Sequence, residues 1–130
     1  MAKTEYTIDG ALASRRVLLV LFIPSADRQS RPLLTQDEWK RKALELFGTE
    51  YGGATAMPKA EGIWRDDGNK GALVRDFPIL LHCYMTEDQA ADKKLHAKVS
   101  AFCRKMGKEM DQGEVMFILD GIMHSYTHFS

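Results

Sequence analysis

The sequence predicts an α+β fold: a two-layer ferredoxin-like sandwich, β-α-β-β-α-β, with a four-stranded antiparallel sheet and two helices on one face. Three observations carry this. The runs Val17–Ile23 and Val115–Leu119 are apolar at consecutive positions and have the length of strands, not helices. Two segments open on capping boxes and then place apolar residues at helical spacing. A turn-rich stretch at residues 66–71 joins the two middle strands as a hairpin.

Residues 1–14 have mixed polarity and little periodicity, as expected of a flexible arm or an extra edge strand ahead of one α/β domain over residues 15–130. Val17–Ile23, stopped by Pro24, reads as a central strand buried on both faces. A polar loop follows, and Thr35-Gln36-Asp37-Glu38 predicts the start of a helix, because the Thr35 hydroxyl and the Glu38 carboxylate can each satisfy the other's free amide. Trp39, Ala43, Leu46 and Phe47 form its inner stripe, and Gly48 or Gly52-Gly53 ends it. The second strand spans about residues 55–65 and contains Pro58, which cannot donate to a ladder and so favours an edge. The third spans about residues 73–85. Thr86-Glu87-Asp88-Gln89 opens a long second helix whose stripe is Leu95, Val99, Phe102, Met106 and Met110 and which Gly113 closes. The last strand starts at Val115 and extends to about Tyr126, with Gly121 as a bulge or close-approach point. Right-handed crossovers then place the first and third strands in the middle of the sheet.

Composition limits the function classes. With 130 residues, 45% of them hydrophobic and 28% charged, the chain is a folded domain able to bury roughly two thirds of its unfolded surface. Eighteen basic residues balance eighteen acidic ones, so there is no global field to concentrate a polyanion, and nucleic acid is not the expected partner. The longest apolar run is far short of the ~20 residues of a membrane helix. Cys83 and Cys103 lack metal-ligand spacing and read as reduced thiols of a cytoplasmic protein, with neither metal nor cofactor implied.

Trp39, then Leu46-Phe47 before Tyr51-Gly52-Gly53-Ala54-Thr55, then Gly62-Ile63-Trp64-Arg65, form a distinctive order. This order resembles an uncharacterised family of small bacterial domains, many of them secreted lipoproteins. The resemblance covers about the middle half of the chain and implies the same fold but no activity. The chain departs from it in having no lipoprotein cysteine and no evident signal segment, and it is expected to be cytoplasmic.

The informative conflict lies on the sheet face away from the helices, which a two-layer domain should leave polar. Strands one and four are apolar in both parities, and the third alternates Phe77, Ile79, Leu81, Cys83 with Pro78, Leu80, His82, Tyr84. Such a face marks an interface or a groove, so a homodimer through the open sheet face is expected, with the amino-terminal arm as the rival cover. If the last strand is regular, Asp120, His124, Tyr126 and His128 share that face with His82 and Tyr84. His82, Asp120 and His124 are therefore the candidate acid-base groups, with Tyr84 and Tyr126 as ligand contacts. Polar residues on an interface rim are the plainer reading. Arg28 and Arg31, with Ser25 and Ser30, lie before a capped helix start where an anion can bind, although solvated loop arginines are the plainer reading. Trp64 with Lys59, Arg65 and Arg75 offers stacking plus charge to a single strand, but the aromatic spacing of an RNA-binding sheet is missing. The expectation is a small homodimeric protein binding a small molecule in a cavity on the open sheet face. A small enzyme using His/Asp acid-base or metal chemistry there is the alternative, and a nucleic-acid-associated or toxin-like module the third.

Overall fold

The computed structural model describes residues 8–57 and 59–129. The apolar run Val17–Ile23 forms β1, and the first amphipathic stretch forms α1, Gln36–Tyr51. Two short strands follow, β2 at Thr55–Met57 and β3 at Gly62–Asp66. Next come β4, Ala72–Asp76, and β5, Ile79–Met85. Helices α2, Glu87–Ala91, and α3, Lys93–Glu109, precede β6, Val115–Leu119, and β7, Ile122–Tyr126. One antiparallel sheet has the order β2-β5-β1-β6-β7, and β3 and β4 form a separate two-stranded sheet. The main sheet thus has five strands where four were expected, and the described residues hold three α-helices where two were expected.

Each departure has a local cause. The expected second strand divides into β2 and β3, and the Ala60 N–H between them donates to the Pro78 carbonyl at 2.8 Å instead of extending a ladder; Pro58 itself lies outside the described residues. The expected third strand divides at Phe77-Pro78, where proline has no N–H to give. The expected bulge at Gly121 is a chain reversal: Asp120 (φ 52°) and Gly121 (φ 78°) both take the left-handed region, the geometry of a two-residue hairpin turn, and Leu119 pairs with Ile122 across it. The long second helix breaks at Asp92, whose extended backbone cannot continue the helix and whose carboxylate accepts the Lys94 N–H at 2.9 Å to start α3. The Thr86 box forms as expected, with the Gln89 N–H donating to Thr86 Oγ1 at 3.1 Å and the Thr86 N–H to Gln89 Oε1 at 2.9 Å.

The Thr35 box does not form. Thr35 sits at φ −95°, ψ 5°, outside the extended conformation that aims a cap hydroxyl at the following amides, and makes no side-chain cap bond. Buried Gln36 holds the helix start instead, its amide donating to the carbonyls of Ile23 (3.2 Å) and Phe77 (3.0 Å). The helix runs past Gly48 and ends at left-handed Gly52, whose N–H reaches the Gly48 carbonyl.

The core lies between one face of the main sheet and the helices. Leu19, Leu21 and Ile23 of β1 and Ile79, Leu81, Cys83 and Met85 of β5 pack with Trp39, Ala43 and Phe47 of α1 and with Val99, Cys103 and Met106 of α3. Phe129 passes so close to α3 that a side chain at Gly107 has no room. The other face carries Leu18, Val20 and Phe22 opposite Tyr84, His82 and Leu80. These positions are partly covered or exposed, Tyr84 at 60%. Residues 8–14 are exposed, with a turn at Asp9-Gly10 and no strand.

Candidate functional site

The β6–β7 hairpin decides where the chemistry-bearing side chains go. Residues paired across antiparallel strands project to the same face, so the pairs Phe117 with His124 and Val115 with Tyr126 place both β7 residues on the helix side. His124 lies flat on Phe117, with centroids 4.9 Å apart and an interplanar angle of 7°, and Tyr126 stacks on the same phenyl ring at 6.1 Å. His124 Nδ1 is 3.0 Å from the Ile122 carbonyl. The Arg104 guanidinium from α3 sits 5.4 Å from the Tyr126 ring centre.

These rings form one wall of a cavity of about 180 Å³. Leu19, Met85 and Leu119 supply its apolar floor from the sheet, and Tyr51, Ala90, His96 and Val99 close it from the helices. The break at Asp92 matters here: it separates α3 from α2, and the His96 ring nitrogen Nε2 donates back across the break to the Ala90 carbonyl. Tyr51 ends α1, where its ring stacks on Phe47. Burial, reinforced by the nearby Cys83, Glu50 and Asp92, pushes the Tyr51 phenol up to about 12, so it stays a neutral donor. The site is an aromatic, largely apolar recess with a few polar groups, the usual make-up of a small-molecule pocket.

The other expected residues lie elsewhere. His82 is half-buried on the opposite sheet face, between Val20 and Thr55 of the flanking strands, and Tyr84 is on that same face. Asp120 occupies the hairpin turn, its N–H donating to the Leu18 carbonyl at 3.1 Å. His128 is exposed beyond β7. His82 and His124 are therefore on opposite faces, and the turn at Asp120-Gly121 separates them by reversing the strand that was expected to carry both Asp120 and His124 on the open face.

The arginine loop is internally paired. Arg28 bonds Asp111 at 3.0 Å and donates to the Gln112 carbonyl, while Arg31 bonds Asp27 at 2.8 Å. Amide hydrogen bonds from Arg31 and Gln29, together with the Arg31 guanidinium, hold the Asp27 carboxyl below its ordinary range. On the β3–β4 hairpin, Arg65 pairs with Asp67 and Arg75 with Glu61, and Trp64 is 51% exposed. Among the described residues, no three His, Cys, Asp or Glu side chains gather where they can hold a metal ion. Cys83 donates to the Gly53 carbonyl at 3.4 Å, and burial raises its thiol to about 11 and that of Cys103 to about 12, so neither is a ready nucleophile.

Tyr51, His96 and Phe117 went unnoticed as site residues. Asp120-Gly121 between apolar runs was the available signal, because Asp-Gly is a strong hairpin dipeptide that puts Phe117 and His124 side by side. His96 stands three positions before Val99 and so borders the inner stripe of α3.

No family model matches the chain, and no curated protein matches it. Among solved structures, the chain is similar to a phage SAM lyase in complex with S-methyl-5'-thioadenosine, at a TM-score of 0.60 and 16% identity over 93% of this chain and 96% of that one. The apo state of a phage SAM lyase gives a TM-score of 0.57 at 14% identity, covering 90% and 96%. No described helix is long and apolar enough to cross a membrane. The chain thus shares an α+β fold, across nearly its whole length, with a protein that binds a small molecule.

Proposed function

We propose that the protein binds an adenosine thioether in the cavity beneath the β6–β7 hairpin. The observation that carries this reading is the flat Phe117–His124 pair lining an apolar recess, in a fold shared with a lyase solved with S-methyl-5'-thioadenosine. Such a ligand has a planar base suited to aromatic faces and a soft methylthio group suited to Met85, Leu19 and ring edges. Tyr51 and His96 supply polar groups for orientation. A cavity of about 180 Å³ is smaller than the ~300–1,000 Å³ of a typical ligand pocket, so it receives one end of the molecule.

The enzyme reading is a lyase reaction on SAM in the same place. A sulfonium cation is attracted to the faces of Phe117 and Tyr126, and of His82, Asp120 and His124 it is His124 that lines the recess. The strand order β2-β5-β1-β6 supports a ferredoxin-like core into which β3–β4 is inserted and to which β7 is added.

Thermal denaturation of the full chain with S-methyl-5'-thioadenosine, SAM or adenosine tests this. Binding at a hundredfold excess over Kd adds about 2.7 kcal/mol and raises Tm. No shift with any of the three would remove the binding proposal. Chromatography of SAM incubated with the protein then separates the two readings: thioadenosine released by the wild type and not by His124→Ala supports the lyase, and intact SAM supports binding alone.

A further inference from the structure

The two edges of the main sheet are built differently. β2 has three residues and runs into Pro58 and Lys59, a short, charged ending that discourages strand addition. β7 has five residues, Ile-Met-His-Ser-Tyr, with no proline, lysine, arginine, aspartate or glutamate, and its Ile122 and Met123 are 63% and 54% exposed. An edge of that length and composition is a template for another strand.

The tight turn fixes which backbone groups are available. Leu119 and Ile122 close a two-residue loop and so form a hydrogen-bonded pair. Alternation along an antiparallel ladder then directs the N–H and C=O groups of Ile122, His124 and Tyr126 toward β6, and those of Met123 and Ser125 outward. Among the described strands β7 has β6 as its one neighbour, leaving that outward row open.

We propose that β7 pairs antiparallel with β7 of a second copy about a two-fold axis through His124. The register is self-complementary. Met123 faces Ser125 of the partner subunit and Ser125 faces Met123 of the partner subunit, so all four outward groups of each copy bond with no slip. Two five-stranded sheets become one continuous sheet, and no second kind of surface is needed.

The pairing also bears on the cavity. Tyr126 and His124 form its outer wall on the helix side, and the same register sets Ile122 of the partner subunit beside Tyr126 and His124 of the partner subunit beside His124. The second copy thereby extends a recess that is small for a whole ligand, and two recesses lie next to each other. The pairing stands on backbone geometry and holds whether or not the recess takes an adenosine thioether.

Sedimentation velocity and hydrogen exchange on the full chain test it together. The expected result is a dimer whose Met123 and Ser125 amides are protected in proportion to dimer population. Ser125→Pro removes an outward donor at a position where β6 needs none, and should weaken the dimer roughly tenfold or more with the fold intact by circular dichroism. If that variant unfolds, Ser125→Lys places a charge on the same edge, with the same expectation. A monomer with fast-exchanging Met123 and Ser125 amides overturns the proposal. So does a dimer that survives both changes but is broken by Tyr84→Glu, which would place the contact on the open sheet face.

Discussion

The two hairpins of this protein are made of similar parts and do different work. β3–β4 turns through Asp66 to Gly71, pairs in perfect register from Gly62 with Asp76 to Asp66 with Ala72, and buries none of its residues fully. β6–β7 turns through two residues, belongs to the main sheet, and carries Val115 and Phe117 into the core. A turn signal therefore says that a chain reverses, and the neighbouring side chains say whether the reversal builds the domain. An isolated two-stranded ribbon is marginal in water, whereas a hairpin that joins a sheet over a core is held by everything beneath it.

Substitutions should separate the hairpins, and the largest separation is expected at Phe117. Phe117→Ala removes a buried ring that supports both His124 and Tyr126, so chemical denaturation should show a loss of about 3–5 kcal/mol.

Alkaline pH probes the core that β6 covers. The Cys103 and Cys83 thiols are raised from 9.0 to about 12 and about 11, and Tyr51 from 10.0 to about 12, chiefly by burial. The folded state then holds protons that the unfolded chain releases, so their stabilisation is complete below about pH 9 and is lost as pH rises from 9 toward 12. The slope reaches about 1.4 kcal/mol per pH unit for each titrating group. Urea melts across that range should show the decline, and Cys103→Ala should flatten it.

A smaller effect is expected at the turn. Gly121→Ala places a methyl group at φ 78° and should destabilise by about 1 kcal/mol, with His124 and Tyr126 losing their places in the cavity wall. Trp64→Ala on the other hairpin should change global stability by no more than about 0.5 kcal/mol, because its ring is half exposed. A Trp64 loss as large as that of Phe117 would break the comparison.

Much of the architecture was legible because it rests on local patterns. Val17–Ile23, the Thr86 capping box and the reversal at residues 66–71 each follow from residues within one short window. The candidate site was less legible because it depends on parity. A strand that passes through Asp120-Gly121 keeps His124 on one face with Asp120, whereas a strand that reverses there delivers His124 onto Phe117 on the other side. One turn thus relocated the candidate site from the open face to the helix side. Thr35 shows the opposite limit: its sequence matches a capping box, yet buried Gln36, bonded to Ile23 and Phe77, sets the helix start from tertiary contacts that no local window contains. His96 enters the site for a similar reason, since its ring bonds the Ala90 carbonyl across the break at Asp92.

Calorimetric titration of S-methyl-5'-thioadenosine into the wild type, Tyr126→Ala and Trp64→Ala is the most direct test that function resides beneath β6–β7. Heat of binding in the wild type, weakened roughly tenfold or more by Tyr126→Ala and unchanged by Trp64→Ala, is the predicted result. Equal affinity in Tyr126→Ala, or a loss confined to Trp64→Ala, would contradict it.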